Sequence, residues 1–92
     1  MKKRKVYICI ATDLPNGLMR LRLEKAKENI EKVNDIPVMP LTEKGRRMKL
    51  GRQIDLMLCA DLVYFGRGWQ NSKECMAVFE VARVYEKKMM FE

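Results

Sequence analysis

The sequence predicts an α/β protein built on a parallel sheet, because short apolar runs alternate with longer segments of helical periodicity. Four apolar runs have the length and composition of strands, at 5–11, 36–39, 62–65 and 89–91. Three segments place apolar residues three and four positions apart, at 18–33, 48–60 and about 72–86. The expected order is βαβαβαβ, with right-handed crossovers between the strands.

The first two runs indicate where their strands lie in the sheet. The run that starts at Lys5 is continuously apolar, which is typical of a central strand covered on both faces. Asn34 and Asp35 end the helix that follows, and Pro37 and Pro40 remove backbone donors, which favours an edge position for the second strand. The 92 residues suffice for one domain, 1–92, which we expect to be a small Rossmann-like three-layer sandwich with a four-stranded parallel sheet.

The second helical segment has an apolar stripe that should pack on the sheet. Its stripe consists of Leu50, Ile54, Met57 and Leu58. Four polar residues of this segment are expected to face solvent: Lys49, Arg52, Gln53 and Asp55.

The segment 61–72 combines a strand, a glycine turn and a helix start within a dozen residues. The strand 62–65 is bounded by Gly66 and Gly68, which either end the strand or cradle a phosphate or ribose. Backbone N–H groups at the carboxyl end of a strand form the usual ligand-binding edge of an open α/β sheet. We therefore expect the binding edge at this turn.

Two residues at the start of the third helix are suited to capping it. Asn71 and Ser72 both cap helices well, and Glu74 follows Asn71 at the spacing of a capping box. Since the chain contains no histidine to activate Ser72, capping is its expected role. Glu74 also suits the helix dipole, and Glu80 is spaced to pair with Arg83 on the surface.

Three further side chains are candidates for ligand contact. Asp13, just beyond the first strand, is placed to meet a sugar hydroxyl. Trp69 follows the glycine turn, where its indole either stacks on a base or covers the sheet edge. Asp61, directly before the third strand, has a structural alternative as a terminator of the preceding helix.

The net charge of +7 favours phosphate-bearing partners, although basic residues also occur on ordinary solvated surfaces. They gather in four segments, at 2–5, 20–27, 44–52 and 87–88. The loop 44–52 is the segment through which we expect nucleic acid to bind, if it binds at all.

The cysteines favour a reducing compartment. Cys9, Cys59 and Cys75 lie in apolar or helical contexts without CxxC spacing, so we expect small buried side chains and neither disulfides nor a zinc site. With no secretory leader and no membrane-spanning run, the cytoplasm is the expected location. Nothing in the sequence calls for a cofactor.

Four pieces of sequence together resemble the small nucleoside 2-deoxyribosyltransferase-like proteins of bacteria and phages. They are Lys5-Val-Tyr-Ile, Asp61-Leu-Val-Tyr-Phe, Gly68-Trp-Gln-Asn-Ser72 and Ala82-Arg83, and the similarity spans nearly the whole chain. The resemblance implies exchange or hydrolysis at an N-glycosidic bond, with a glutamate of the third helix attacking the anomeric carbon of the sugar.

The chain departs from the family pattern at that glutamate. In the pattern it falls six residues after the serine, where this chain has Val78, and the family glycine is here Glu74. Glu74, one helical turn before Val78, is our first choice for the catalytic carboxylate, with Glu80 as the alternative. The expected substrate-binding residues, five of which match the pattern, are Tyr7, Asp13, Asp61, Gly66, Gly68, Trp69, Asn71 and Ser72.

These observations predict a nucleoside- or nucleotide-binding protein with weak or lost N-glycosidic transferase or hydrolase activity. The alternative is a small basic interaction protein that binds nucleic acid or a protein partner on a degenerate version of the fold. Because so small a sheet has exposed edges and the family's sites are commonly shared between subunits, we also expect a homo-oligomer.

Overall fold

The chain folds in the predicted order of strands and helices. Its structure is a computed structural model that describes residues 3–11, 16–41, 46 and 48–92. The elements are β1 (Lys5–Cys9), α1 (Asn16–Lys32), β2 (Ile36–Val38), α2 (Leu50–Cys59), β3 (Leu62–Phe65), a 3₁₀ turn (Trp69–Asn71), α3 (Lys73–Val84) and β4 (Lys88–Phe91).

The four strands form one parallel sheet in the order β2-β1-β3-β4, so the predicted α/β class is confirmed. Val6 pairs with Pro37 on one side and with Leu62 on the other, which makes β1 central. The edge position predicted for β2 is also confirmed. Ile36 N–H donates to Arg4 O at 2.8 Å, and because donors alternate along a strand, position 37 faces away from β1. Proline at that position therefore removes only an outward donor.

The sheet separates two apolar layers because successive strand residues point to opposite faces. Val6, Ile8 and Tyr64 pack against α1 on one face. On the other face Tyr7 and Phe65 pack with α2 and α3, and Val78 of α3 is fully buried there. The result is the predicted three-layer arrangement, with one helix on one face and two on the other.

Several element boundaries differ from the prediction. β1 ends at Cys9, although Ile10 and Ala11 are still buried, because the apolar run goes on packing after it leaves the ladder. α3 ends at Val84, where Glu86 takes a positive φ of 55° and Lys87 N–H turns back to Ala82 O at 2.9 Å. α2 begins at Leu50, two residues later than expected, and the 3₁₀ turn was not predicted.

In the part of the chain that the structure describes, no helix combines the length and apolar character needed to cross a membrane.

Candidate functional site

At the carboxyl edge of β1 and β3, the two neighbouring strands continue into helices on opposite faces of the sheet. β1 leads to α1 on one face, whereas β3 leads to α3 on the other. Open α/β sheets bind ligands in the crevice at such a topological switch point. The turn 66–71 lies at this edge because it directly follows β3.

Both glycines of this turn are required by its geometry. A Cβ atom on the buried Gly66 would lie 2.6 Å from Cγ2 of Ile10, so only glycine lets the turn approach the end of β1. Gly68 has a φ of 84°, the left-handed region that glycine adopts without strain. The side chain of Arg22 donates to Arg67 O and thereby ties the turn to α1.

Ser72 caps α3, as predicted for that residue. Its Oγ accepts from Cys75 N–H at 3.3 Å, and the residue is buried. Asn71 is exposed, and its N–H donates to Gly68 O within the 3₁₀ turn. The alternative of a capping box from Asn71 to Glu74 is therefore wrong, because the helix starts one residue later than that spacing requires.

Glu74 is held by a buried glutamine that the sequence analysis placed on the solvent side. Gln53 Nε2 donates to Glu74 Oε2 at 2.9 Å and to Met48 O at 2.8 Å. Its Oε1 accepts from the hydroxyl of Tyr7 at 3.3 Å. Gln53 is only 4% exposed, so the prediction of an outward side chain is wrong. The available signal was its position four residues before Met57, on the same face of the helix.

This hydrogen-bonded cluster of Tyr7, Gln53 and Glu74 joins β1, α2 and α3, and its phenol stays protonated. Burial raises the pKa of Tyr7 well above its ordinary value, and the neighbouring Cys9, Cys75 and Glu74 add to the shift. Tyr7 therefore acts as a hydrogen-bond donor to Gln53. Its side chain is fully buried, and in the described residues its hydroxyl bonds to Gln53.

Two buried cysteines, Cys9 and Cys75, lie beside this cluster. The pKa of the Cys9 thiol is raised, mainly by its hydrogen bond with Cys75 and secondly by burial, so this thiol stays protonated. All three cysteines are free, as predicted, but Cys59 is exposed and not buried as expected. No group of three or more His, Cys, Asp and Glu side chains lies close enough to hold a metal ion in the described ranges.

Trp69 belongs to an aromatic cluster that covers the sheet near β4. Its ring lies 4.9 Å from those of Phe65 and Phe79 and 5.6 Å from that of Phe91, measured between centroids. Trp69 therefore covers the sheet edge, which is one of the two roles expected from the sequence. Its stacking on a base stays a prediction.

Asp61 is not brought together with the other candidates. It lies at the amino end of β3, about 16 Å along the strand from Gly66, and accepts from Lys5 N–H at 2.7 Å. It lines a pocket of about 550 Å³ at the amino edge together with Arg4, which pairs with Asp35 at 2.9 Å. These charged groups form structural contacts with one another and with the backbone. We therefore place the candidate site at the carboxyl edge and not at this pocket, despite its volume.

The remaining candidates fall into two cases. Glu80 is exposed and pairs with Arg83 at 2.8 Å, the surface ion pair that its spacing predicts. It follows the buried Val78 by two residues, about 200° around the helix, and so points nearly the opposite way. Asp13 lies outside the described residues.

The fold and this edge define a small Rossmann-like α/β protein with a positioned carboxylate at the carboxyl ends of its central strands. No protein-family model matches the chain, and no curated protein matches it. The resemblance to deoxyribosyltransferase-like proteins therefore rests on the sequence motifs.

Proposed function

We propose that the chain binds a nucleoside or nucleotide at the carboxyl edge of β1 and β3, with the carboxylate of Glu74 directed at the sugar. The observation that supports this most is the Gln53 amide. A buried polar side chain costs free energy unless all its groups are bonded, and Gln53 uses its groups to hold Glu74 at the start of α3. Such support fixes the direction of a carboxylate, as a reacting group requires.

Chemistry at an N-glycosidic bond fits a carboxylate in this position. An oxygen of Glu74 attacks the anomeric carbon while the bond to the base nitrogen breaks, and its electron pair leaves with the base, which takes up a proton. Water or a second base then displaces Glu74 from the sugar. The buried Tyr7 is a positioning residue in this scheme because it contacts Gln53 and not the ligand.

The test is incubation with deoxynucleosides or their 5′-monophosphates and a second base, followed by chromatography of free bases and new nucleosides. Glu74→Gln should lower the turnover rate at least about 100-fold, because the amide cannot act as the nucleophile. It should leave ligand binding measurable. Glu80→Gln is the matched control, since Glu80 is exposed and paired with Arg83, and it should keep the wild-type rate.

Two outcomes would separate binding from catalysis. Saturable binding without turnover would limit the function to ligand binding. Absence of binding for every nucleoside and nucleotide tested would overturn the proposal.

A second candidate function, binding of nucleic acid, is favoured by the basic residues before and within α2. The side chains of Arg46, Lys49 and Arg52 are all exposed. If a polyanion binds there, replacing these three residues by glutamine should weaken binding of single-stranded DNA and reduce its salt dependence by about three counterions. Equal loss on replacing Lys3, Lys87 and Lys88, at the amino edge, would point to unspecific attraction by the net charge.

A further inference from the structure

A small open pocket lies beside the glycine turn, on the face of the sheet that α1 covers. Its volume is about 270 Å³, and its lining residues are Leu21, Arg22, Lys25, Arg67 and Glu92. Arg22 and Lys25 are one helical turn apart on α1, whereas Arg67 belongs to the turn after β3. The pocket therefore opens at the same carboxyl edge as the proposed site.

The charges around this pocket are unbalanced. It has three cationic side chains and one carboxylate, and none of the three cations forms an ion pair with any carboxylate of the described residues. The carboxylate, Glu92, accepts the hydroxyl hydrogen of Tyr64 at 3.0 Å. An anion that entered the pocket would gain the attraction of three cations, which outnumber the single carboxylate of the lining.

One of these cations is already fixed in position. The guanidinium of Arg22 donates to Arg67 O, and its Nη1 would lie 3.3 Å from a Cβ atom at Gly68. A guanidinium carries five N–H donors in a rigid fork, so this one bond leaves it able to bind a phosphate group in the bidentate manner. The same contact joins the pocket to the turn that starts the proposed site.

We propose that this pocket binds the phosphate group of the ligand, so that the chain takes a nucleoside phosphate in preference to the free nucleoside. This rests on the proposed function, because it places the sugar and base of the same ligand at the carboxyl edge. The small volume suits a single phosphate group better than a long polyanion, which needs a continuous basic track.

The test compares binding of deoxyadenosine and deoxyadenosine 5′-monophosphate by titration calorimetry at fixed ionic strength. Wild-type protein should bind the monophosphate at least about tenfold more tightly. The double variant Lys25→Gln/Arg67→Gln, whose replaced side chains are exposed, should lose most of this preference and keep its affinity for the nucleoside. Glu92→Gln should increase the preference, because it removes a like charge from the pocket.

The matched control is Lys32→Gln/Lys88→Gln, which removes the same charge at the amino edge and should keep the preference. Equal affinity of wild-type protein for the two ligands would overturn the phosphate pocket while leaving the proposed function in place. An equal loss of preference in the control would also overturn it, since net charge alone would then explain the effect. Binding of neither ligand would overturn the proposed function and this inference with it.

Discussion

The amide of Gln53 bonds to three parts of the fold at once, and this makes it the most constrained polar residue of the candidate site. It bonds to the hydroxyl of Tyr7, to the carboxylate of Glu74 and to Met48 O before α2. Burying each of these polar groups cost the free energy of removing it from water. Losing one partner therefore leaves the others with unsatisfied hydrogen-bonding capacity.

Replacement of Gln53 should be costly for this reason. We expect Gln53→Leu to lower the free energy of unfolding by about 1–3 kcal/mol, since the buried Tyr7 hydroxyl loses its acceptor. Tyr7→Phe should cost about 1 kcal/mol. Urea denaturation of both variants and of the double variant measures the coupling between them.

In the double variant the hydroxyl and its acceptor are both absent. Its cost should therefore be smaller than the sum of the two single costs by about 0.5 kcal/mol or more. Strictly additive costs would contradict the hydrogen bond between Tyr7 and Gln53.

The positive φ of Gly68 leads to a prediction with a control in the same chain. Gly68→Ala should lower the free energy of unfolding by about 1 kcal/mol, because an L side chain is strained at a φ of 84° and would also crowd Arg22. Gly51→Ala in α2, where nothing lies within 4 Å of the added Cβ, should instead raise it by about 0.5–1 kcal/mol. Chemical denaturation checks both. A stabilised Gly68→Ala variant would show that this turn has another conformation in solution.

Single residues of the site were harder to predict than the strands that carry them. A glutamine that directly follows a charged residue of a helix, as Gln53 follows Arg52, is usually solvated, so composition alone places it outside. Only its distance of four residues from Met57 points inward. The bond from Arg22 to Arg67 joins residues that are 45 positions apart, and no local pattern encodes such a contact.

At the scale of the elements, hydrophobic periodicity predicted the four strands and three α-helices of the described chain, and the errors concentrate at their ends. The alternation of apolar runs and helical segments depends on which face is buried, and a sequence records that directly. The end of β1 depends instead on where its ladder partner stops, because the last bond runs from Gly66 N–H to Cys9 O at 3.0 Å. Such ends are set by tertiary contacts and not by the apolar character of Ile10 and Ala11.

The start of α3 gives a prediction that separates the two capping alternatives. Ser72→Ala should lower the free energy of unfolding by about 1 kcal/mol, since Cys75 N–H loses its side-chain acceptor. Asn71→Ala should change it by less than about 0.5 kcal/mol, because that residue is exposed and precedes the cap. Thermal or urea unfolding of the two variants decides between them. A larger effect at Asn71 would return the capping box to consideration.

At the scale of the whole molecule, the two edges of the sheet differ. On β2, Pro37 supplies no N–H where the outward donor would stand. β4 is the other edge strand, and no further strand of the described chain pairs with its outer side. Its side chains Met90 and Phe91 are exposed. An uncovered strand of this kind is a template for another chain.

We therefore expect self-association through β4, with a second copy of the chain across a two-fold axis. Light scattering at micromolar protein should give twice the mass of one chain, and Met90→Lys should shift it to one chain by placing a charge on the edge. Val33→Lys is the matched control, because Val33 is also exposed but lies in the turn after α1. A wild-type protein that is monomeric at this concentration would contradict the expectation.

Pro37 limits what such an association can become. Two chains that join along β4 use up the open edge of each, and the doubled sheet then presents a proline at both of its outer margins. A further copy would find no donor at position 37, which weakens extension of the ladder at that edge. If the chain associates through β4, we therefore expect it to stop at the dimer and not to continue into a fibre.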